Sequence, residues 1–160
     1  MKDRFNAVEV IEMAKDIEKR GHKFYTNQAE LAGDQELKDL FTKLAEDELD
    51  HYERFEELAK VIKDVNKEHL EYVYDPEVSA YLEAIVEFAI FPAEEGVEIR
   101  DIVDALQIAI YAEKDSILFY SEMLKYNDDQ TAVVLKKLIE EEKQHLLDLV
   151  RYDAELSRKK

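Results

Sequence analysis

Two stretches hold the residues best able to do chemistry, Leu44-Ala45-Glu46-Asp47-Glu48-Leu49-Asp50-His51 and Leu138-Ile139-Glu140-Glu141-Glu142-Lys143-Gln144-His145. Each contains a Glu-x-x-His. Residues three apart on a helix share a face, so each motif aims a carboxylate and an imidazole at one region of space, a ready edge for a metal ion. Upstream of each lies a second repeat, Glu-x6-Tyr, as Glu18 with Tyr25 and as Glu113 with Tyr120. Glu18 precedes Glu48 by 30 residues and Glu113 precedes Glu142 by 29, which describes one helix-pair unit written twice. Four carboxylates and two imidazoles fall into register.

Composition restricts what can position them. A chain of 160 residues with 46% apolar residues fits one domain with a real core, and three Gly and two Pro against 38% charged residues predict long helices with short connections. The net charge of −17 argues against a nucleic-acid or anionic-membrane partner, both of which need clustered Lys and Arg. The absence of Cys removes disulfides, thiolate catalysis and Cys-built zinc or iron-sulfur sites. With no signal-like start and no run near the ~20 apolar residues of a membrane span, a cytoplasmic location is expected.

The predicted fold class is all-α, a four-helix bundle of two hairpins, read as a single domain over 1–160. Hairpin 1 spans about 6–64, a crossover about 65–100, and hairpin 2 about 101–156. Asn6 with Glu9 forms a capping-box pattern at the first helix, whose apolar stripe reads Ile11, Ala14, Glu18, Gly21, Tyr25, Gln28. Gly33 is expected to end this helix as a C-terminal glycine, and Asp34 to cap the next. The second stripe is Leu37, Phe41, Leu44, Glu48, His51, Phe55, Leu58, Ile62; Lys38, Asp39, Lys43, Asp47, Asp50, Glu53, Arg54 and Glu57 read as a solvated outer face. In the crossover, Asp75 and Pro76 start a short helix with Val78, Leu82, Ile85, Val86, Ala89 and Ile90 on its apolar face, closed by Pro92 and Gly96. The crossover aromatics Tyr72, Tyr74, Tyr81, Phe88 and Phe91 suit a lid over the flank of the bundle, or a contact or exchange between two chains. The last two stripes are Ile102, Leu106, Ala109, Glu113, Ser116, Tyr120, Met123 and Leu135, Leu138, Glu142, His145, Leu149, Tyr152, joined at Asn127-Asp128-Asp129. The tail Ser157 to Lys160 is expected to fray.

The carboxylates interrupting these stripes would be costly to bury alone. If the four helix midpoints meet, Glu18, Glu48, His51, Glu113, Glu142 and His145 line one cavity, and two divalent cations bring its charge close to neutral. Carboxylate with imidazole suits iron or manganese, and the lack of thiolate argues against a soft-metal site. By the repeat, Glu18 with His51 serves one ion, Glu113 with His145 the other, and Glu48 and Glu142 bridge them. Tyr25 and Tyr120, two turns beyond Glu18 and Glu113, either hydrogen-bond a neighbouring ligand carboxylate or sit in the core with satisfied hydroxyls. His22 and His69 have no repeated partner and read as surface residues.

The paired Glu-x6-Tyr and Glu-x-x-His motifs, spread over nearly the whole chain, resemble the ferritin-like di-iron proteins, and closest the rubrerythrin branch. The resemblance implies a ferritin-like fold with a non-haem di-iron centre, two iron ions per chain, that reduces hydrogen peroxide or oxygen. Two departures stand out. Rubrerythrins carry an additional Glu one turn past the third-helix ligand, where this chain has Ser116, so the likeness does not extend to a centre that exchanges His for Glu. They also carry a Cys-built rubredoxin domain, so the resemblance implies electrons from a separate protein such as a rubredoxin. A homodimer is expected. The alternatives are an iron-storage protein with ferroxidase activity and a non-redox bundle holding zinc or no metal.

Overall fold

In the computed structural model, which describes residues 3–65, 74–88, 91, 101–127 and 129–159, the regular elements are five helices with no strand among the described residues. They are α1 (Ala7–Leu31), α2 (Gln35–Val65), α3 (Pro76–Phe88), α4 (Ile102–Leu124) and α5 (Gln130–Arg158). Side chains start each helix where the sequence suggests. Asn6 and Glu9 form a reciprocal capping box on α1, and Asp34 accepts from Leu37 N–H at the start of α2. Asp75 does the same for α3 with Pro76 in the first position, as Asp101 and Asp129 do for α4 and α5.

Two expectations about helix ends are corrected. The chain leaves α1 through Ala32 in extended backbone (φ −62°, ψ 130°), and Gly33 does not adopt the left-handed conformation of a C-terminal glycine cap. The tail is not unravelled either, since α5 continues through Arg158 with the Ser157 hydroxyl donating to the Asp153 carbonyl. Ala89, Ile90, Pro92, Gly96, Tyr72, His69 and Asp128 lie outside the described residues.

Cross-helix contacts fix the topology. Tyr25 of α1 reaches Glu113 of α4 while Tyr120 of α4 reaches Glu18 of α1, so these two helices run antiparallel. Glu48 beside His145, and His51 beside Glu142, make α2 and α5 antiparallel as well. With each hairpin itself antiparallel, α2 and α4 point the same way. The chain must therefore return along the length of the bundle between them, which a short loop cannot do. α3 makes that return alongside α1. Phe5 N–H donates to Ser79 Oγ near one end, and Arg20 donates to the Val86 carbonyl further along. Beyond it, Phe91 is buried against Phe24 and Tyr25. The described part of the crossover thus covers the groove between α1 and α4 of its own chain.

The core divides into two apolar clusters, one around Phe55, Phe119 and Tyr120 and one around Phe24, Tyr25, Phe41 and Phe91. Polar stripe residues lie between them. Every predicted stripe residue of α1 is buried, so the three-four spacing identified the packed face directly.

Candidate metal centre

Glu18, Glu48, His51, Glu113, Glu142 and His145 meet at mid-bundle, and none is more than 2% exposed. Their ligand atoms form two groups, each within 4.8 Å: Glu18, Glu48, His51 and Glu142, and Glu48, Glu113, Glu142 and His145. Glu48 and Glu142 belong to both. This is the shared pair that the repeat predicts. The two imidazoles stack 5.6 Å apart, with Nδ1 of each turned into the carboxylates. Nδ1 of His51 lies 3.2 Å from Glu142 Oε1 and 3.4 Å from Glu18 Oε2; Nδ1 of His145 lies 2.9 Å from Glu142 Oε2 and 3.2 Å from Glu48 Oε1.

The tyrosines resolve in favour of the carboxylates. Tyr25 donates to Glu113 Oε1 at 2.6 Å, and Tyr120 donates to Glu18 Oε1. Each hydroxyl reaches the Glu of the other hairpin, so the two halves are tied across the site. Burial, followed by the charges of Glu113 and Glu18 respectively, holds both phenols well above their usual range, and both remain donors at neutral pH.

Gly21 is the second packing device. A Cβ there would lie 2.9 Å from Glu48 Oε2 and 3.0 Å from Phe91, so the absence of a side chain lets Glu48 enter between α1 and the crossover. Ser116 occupies the corresponding place one turn past Glu113 and turns its hydroxyl onto the Ala112 carbonyl.

Residues assigned to a solvated face also reach the centre. Asp47 Oδ2 accepts from His145 Nε2 at 3.0 Å and is held in turn by Lys43 at 2.8 Å. The His145 hydrogen bond, then Lys43, keeps Asp47 far below the usual carboxylate range against its partial burial. In the other half Glu141 lies 3.8 Å from His51 Nε2 and is gripped by Arg54, which also pairs with Asp50. The acid preceding each shared Glu therefore faces the histidine of the opposite hairpin. The repeat contains the signal, an acid in the same place in both motifs. His22 is likewise no free surface group, because its Nδ1–H donates to the Ala45 carbonyl and ties α1 to α2.

Through Asp47 the protein fixes the His145 ring and strengthens it as a ligand. Asp47→Asn is expected to weaken cation binding by about 10-fold, read by competition titration against a chelator. Glu141→Gln, whose acceptor lies farther from its histidine, should have the smaller effect.

The donor set fits divalent cations. Glu18 Oε2, Glu48 Oε1 and Glu113 Oε2 are buried without a hydrogen-bond partner, which is costly unless a cation takes them. Without cations the charges redistribute onto protons. Burial, then the charges of Glu142 and Glu18, pushes Glu48 well above the carboxylate range. Burial and Glu142 push Glu113 up to about 7, with His145 opposing. Burial, the largest single effect, would raise Glu18 too, but the His51 charge together with hydrogen bonds from Glu48, His51 and Tyr120 outweighs it and leaves Glu18 below its usual value. Burial opposes protonation of His51, yet Glu18 and Glu142 push it up to about 11.

These directions set a pH dependence for the metal-free chain. The contribution of Glu113 is fully present below the carboxylate value of 4.5 and is lost as pH rises to about 7. That of His51 is fully present below 6.5 and is lost as pH rises through about 11. Both act the same way between pH 6 and 8. The chelator-treated protein should therefore melt lower at pH 8 than at pH 6, by on the order of 5 °C. Adding Mn(II) should narrow that gap, because the cation replaces the protons. A metal-free melting temperature that climbs over this range would contradict the assignment.

An antiparallel pair of helix hairpins enclosing paired carboxylates and histidines on a pseudo-twofold axis defines the ferritin-like di-metal carboxylate class. The chain belongs to the rubrerythrin family, whose model matches residues 9–152. In fold it is similar to a Thermotoga maritima protein whose crystal structure is described as that of a ferritin-like diiron-carboxylate protein. The TM-score is 0.68 at 23% identity, with 97% of this chain and 99% of that one covered. No curated protein matches the chain. No helix among the described residues is long and apolar enough to cross a membrane.

Proposed function

We propose that the chain is a rubrerythrin-like non-haem di-iron oxidoreductase that reduces hydrogen peroxide or oxygen with electrons from a separate redox protein. The observation carrying this reading is the pair of four-residue groups sharing Glu48 and Glu142, with buried carboxylate oxygens that no hydrogen bond satisfies. Glu18 and His51 would hold one ion, Glu113 and His145 the other, with Glu48 and Glu142 between them. Bound there as ferrous iron, two ions would supply the two electrons that, with two protons from solvent, reduce hydrogen peroxide to two waters, and a partner protein would return those electrons.

The chain's own residues set the conditions. Burial of all six side chains keeps bulk water from the carboxylates, which strengthens their hold on charge. Tyr25 and Tyr120 each bind one oxygen of a terminal carboxylate and leave the other free for a ligand bond, while Asp47 fixes the His145 ring. No buried thiolate competes, since the chain has no Cys.

The test begins with metal analysis of protein purified without oxygen. About two iron per chain, a near-ultraviolet absorption change on adding peroxide, and peroxide turnover that disappears in Glu48→Ala are expected. Zinc or no metal with no spectral change would replace this reading with a structural bundle. Unchanged turnover in Glu48→Ala would remove the site from the reaction.

A further inference from the structure

The bundle treats its two ends differently. Where α1 turns into α2 and α4 begins, there is a cavity of about 230 Å³. Its lining runs inward from exposed Leu31 and Asp101, past Gln28 and Ala32, to fully buried Leu37 and Phe41. The floor is thin. Phe41 stacks on Tyr25 with ring centroids 5.9 Å apart, and Tyr25 donates to Glu113. One layer of aromatic rings therefore stands between this cavity and a ligand carboxylate.

Gln28 is the residue that packing does not explain. It is only 8% exposed, it lines the cavity, and its side-chain amide makes no hydrogen bond among the described residues. A buried amide without a partner is costly unless something enters to satisfy it. Gln28 lies on the α1 stripe one turn past Tyr25, about 15 Å along the helix from Glu18.

The opposite end is an internal control. The pseudo-twofold that carries Glu18 onto Glu113 and Glu48 onto Glu142 carries Gln28 onto Met123 and Phe41 onto Leu135. Met123 and Leu135 are buried in an apolar cluster with Phe5 and Tyr74, and Asn127 fastens that end by donating to the Tyr74 hydroxyl. The fold can therefore fill the position of Gln28 with an apolar side chain, and the core does not require an amide there. The flanks are bridged as well. Phe91 lies against Phe24 and Tyr25 beside α4, while Asp47 with His145 and Arg54 with Glu141 join α2 to α5.

We propose that this cavity is the entry chamber for hydrogen peroxide on its way to the di-metal centre, with Gln28 as its first hydrogen-bonding contact and Phe41 as the ring it must pass. The inference rests on the di-iron reading above. The chemistry is matched. Peroxide carries two O–H donors and lone pairs on both oxygens, and one amide offers an acceptor in Oε1 and donors in Nε2. The volume is several times the ~30 Å³ share of a liquid water, so peroxide fits with a few waters while a protein reductant stays outside. A neutral oxidant is also not repelled by a chain of −17, as an anionic one is.

The test uses the full chain loaded anaerobically with ferrous iron, mixed rapidly with hydrogen peroxide and, separately, with nitric oxide. Nitric oxide ligates ferrous iron, changes its absorption and makes no strong hydrogen bond, so it reads access without the reaction. Ala32→Phe places a ring in the chamber and should slow both probes at least about 10-fold with iron content unchanged. Gln28→Leu keeps the bulk and removes the hydrogen bonds; it should slow peroxide about 5-fold and leave nitric oxide unchanged. A purely structural role for Gln28 would not separate the two probes. Phe41→Leu thins the floor and should speed nitric oxide at least about 3-fold. Should Ala32→Phe misfold, the other two variants decide the matter alone. Rates that ignore Ala32→Phe and Phe41→Leu would overturn the route, and a Gln28→Leu effect equal on both probes would overturn the amide contact. A wild type that holds no iron or responds to neither probe would instead overturn the di-iron reading, and this proposal with it.

Discussion

Glu142→Ala should empty both halves of the metal centre at once. Its two oxygens go to different histidines, Oε1 to His51 at 3.2 Å and Oε2 to His145 at 2.9 Å, and it belongs to both ligand groups. Removing a residue that merely supports a ligand costs ~10–100-fold in affinity, so losing a carboxylate common to both ions should cost more than ~100-fold for each. Elemental analysis after anaerobic iron loading should show well under one iron per chain, with far-ultraviolet circular dichroism still helical. Glu141→Gln, one residue away and partly exposed, supplies the control and should retain most of the metal. If Glu142→Ala keeps one ion at wild-type affinity, Glu142 is not shared.

Gly21→Ala should separate folding from metal binding. Two effects compete in stability. Alanine is better than glycine in a helix interior by ~1 kcal/mol, while overpacking a tight site costs ~1–3 kcal/mol. The new methyl meets Glu48 Oε2 at 2.9 Å and the Phe91 ring at 3.0 Å, so the steric term should win by a modest margin. The displaced atom is the end of a Glu side chain that must hold its position to serve both groups. Metal affinity should therefore fall at least ~10-fold, while the metal-free melting temperature drops only a few degrees. Gly33→Ala has nothing within 4 Å of its Cβ and should change neither quantity appreciably. Unaltered metal binding in Gly21→Ala would mean that Glu48 is held elsewhere.

The outer contacts of the centre show where one-dimensional reading stops. Asp47 and Arg54 lie about a quarter turn off the buried stripe of α2, a position that faces water in an isolated hairpin. Here α5 stands beside them and brings His145 and Glu141 within reach. Whether such a residue is solvated or supports a ligand depends on the neighbouring helix, roughly ninety residues along the chain. His22 illustrates the same point within one hairpin, where a lone histidine finds the Ala45 carbonyl of the next helix. Gly33 failed for a local reason: Ala32 already turns the backbone out in an extended conformation, so no left-handed residue is needed.

By itself the sequence determined the all-α class, the helix starts and the six inward-facing ligand candidates. Capping side chains act within three residues, and a helix repeats its faces every three to four. Glu18, Glu48, His51, Glu113, Glu142 and His145 stand on those faces whatever the helices pack against. Only the tertiary structure decided that each tyrosine serves the opposite hairpin, that the crossover lies over α1 and α4, and that Asp47 supports His145. Those contacts join residues far apart in the chain, and their distances depend on helix register and order around the bundle, which local periodicity does not encode.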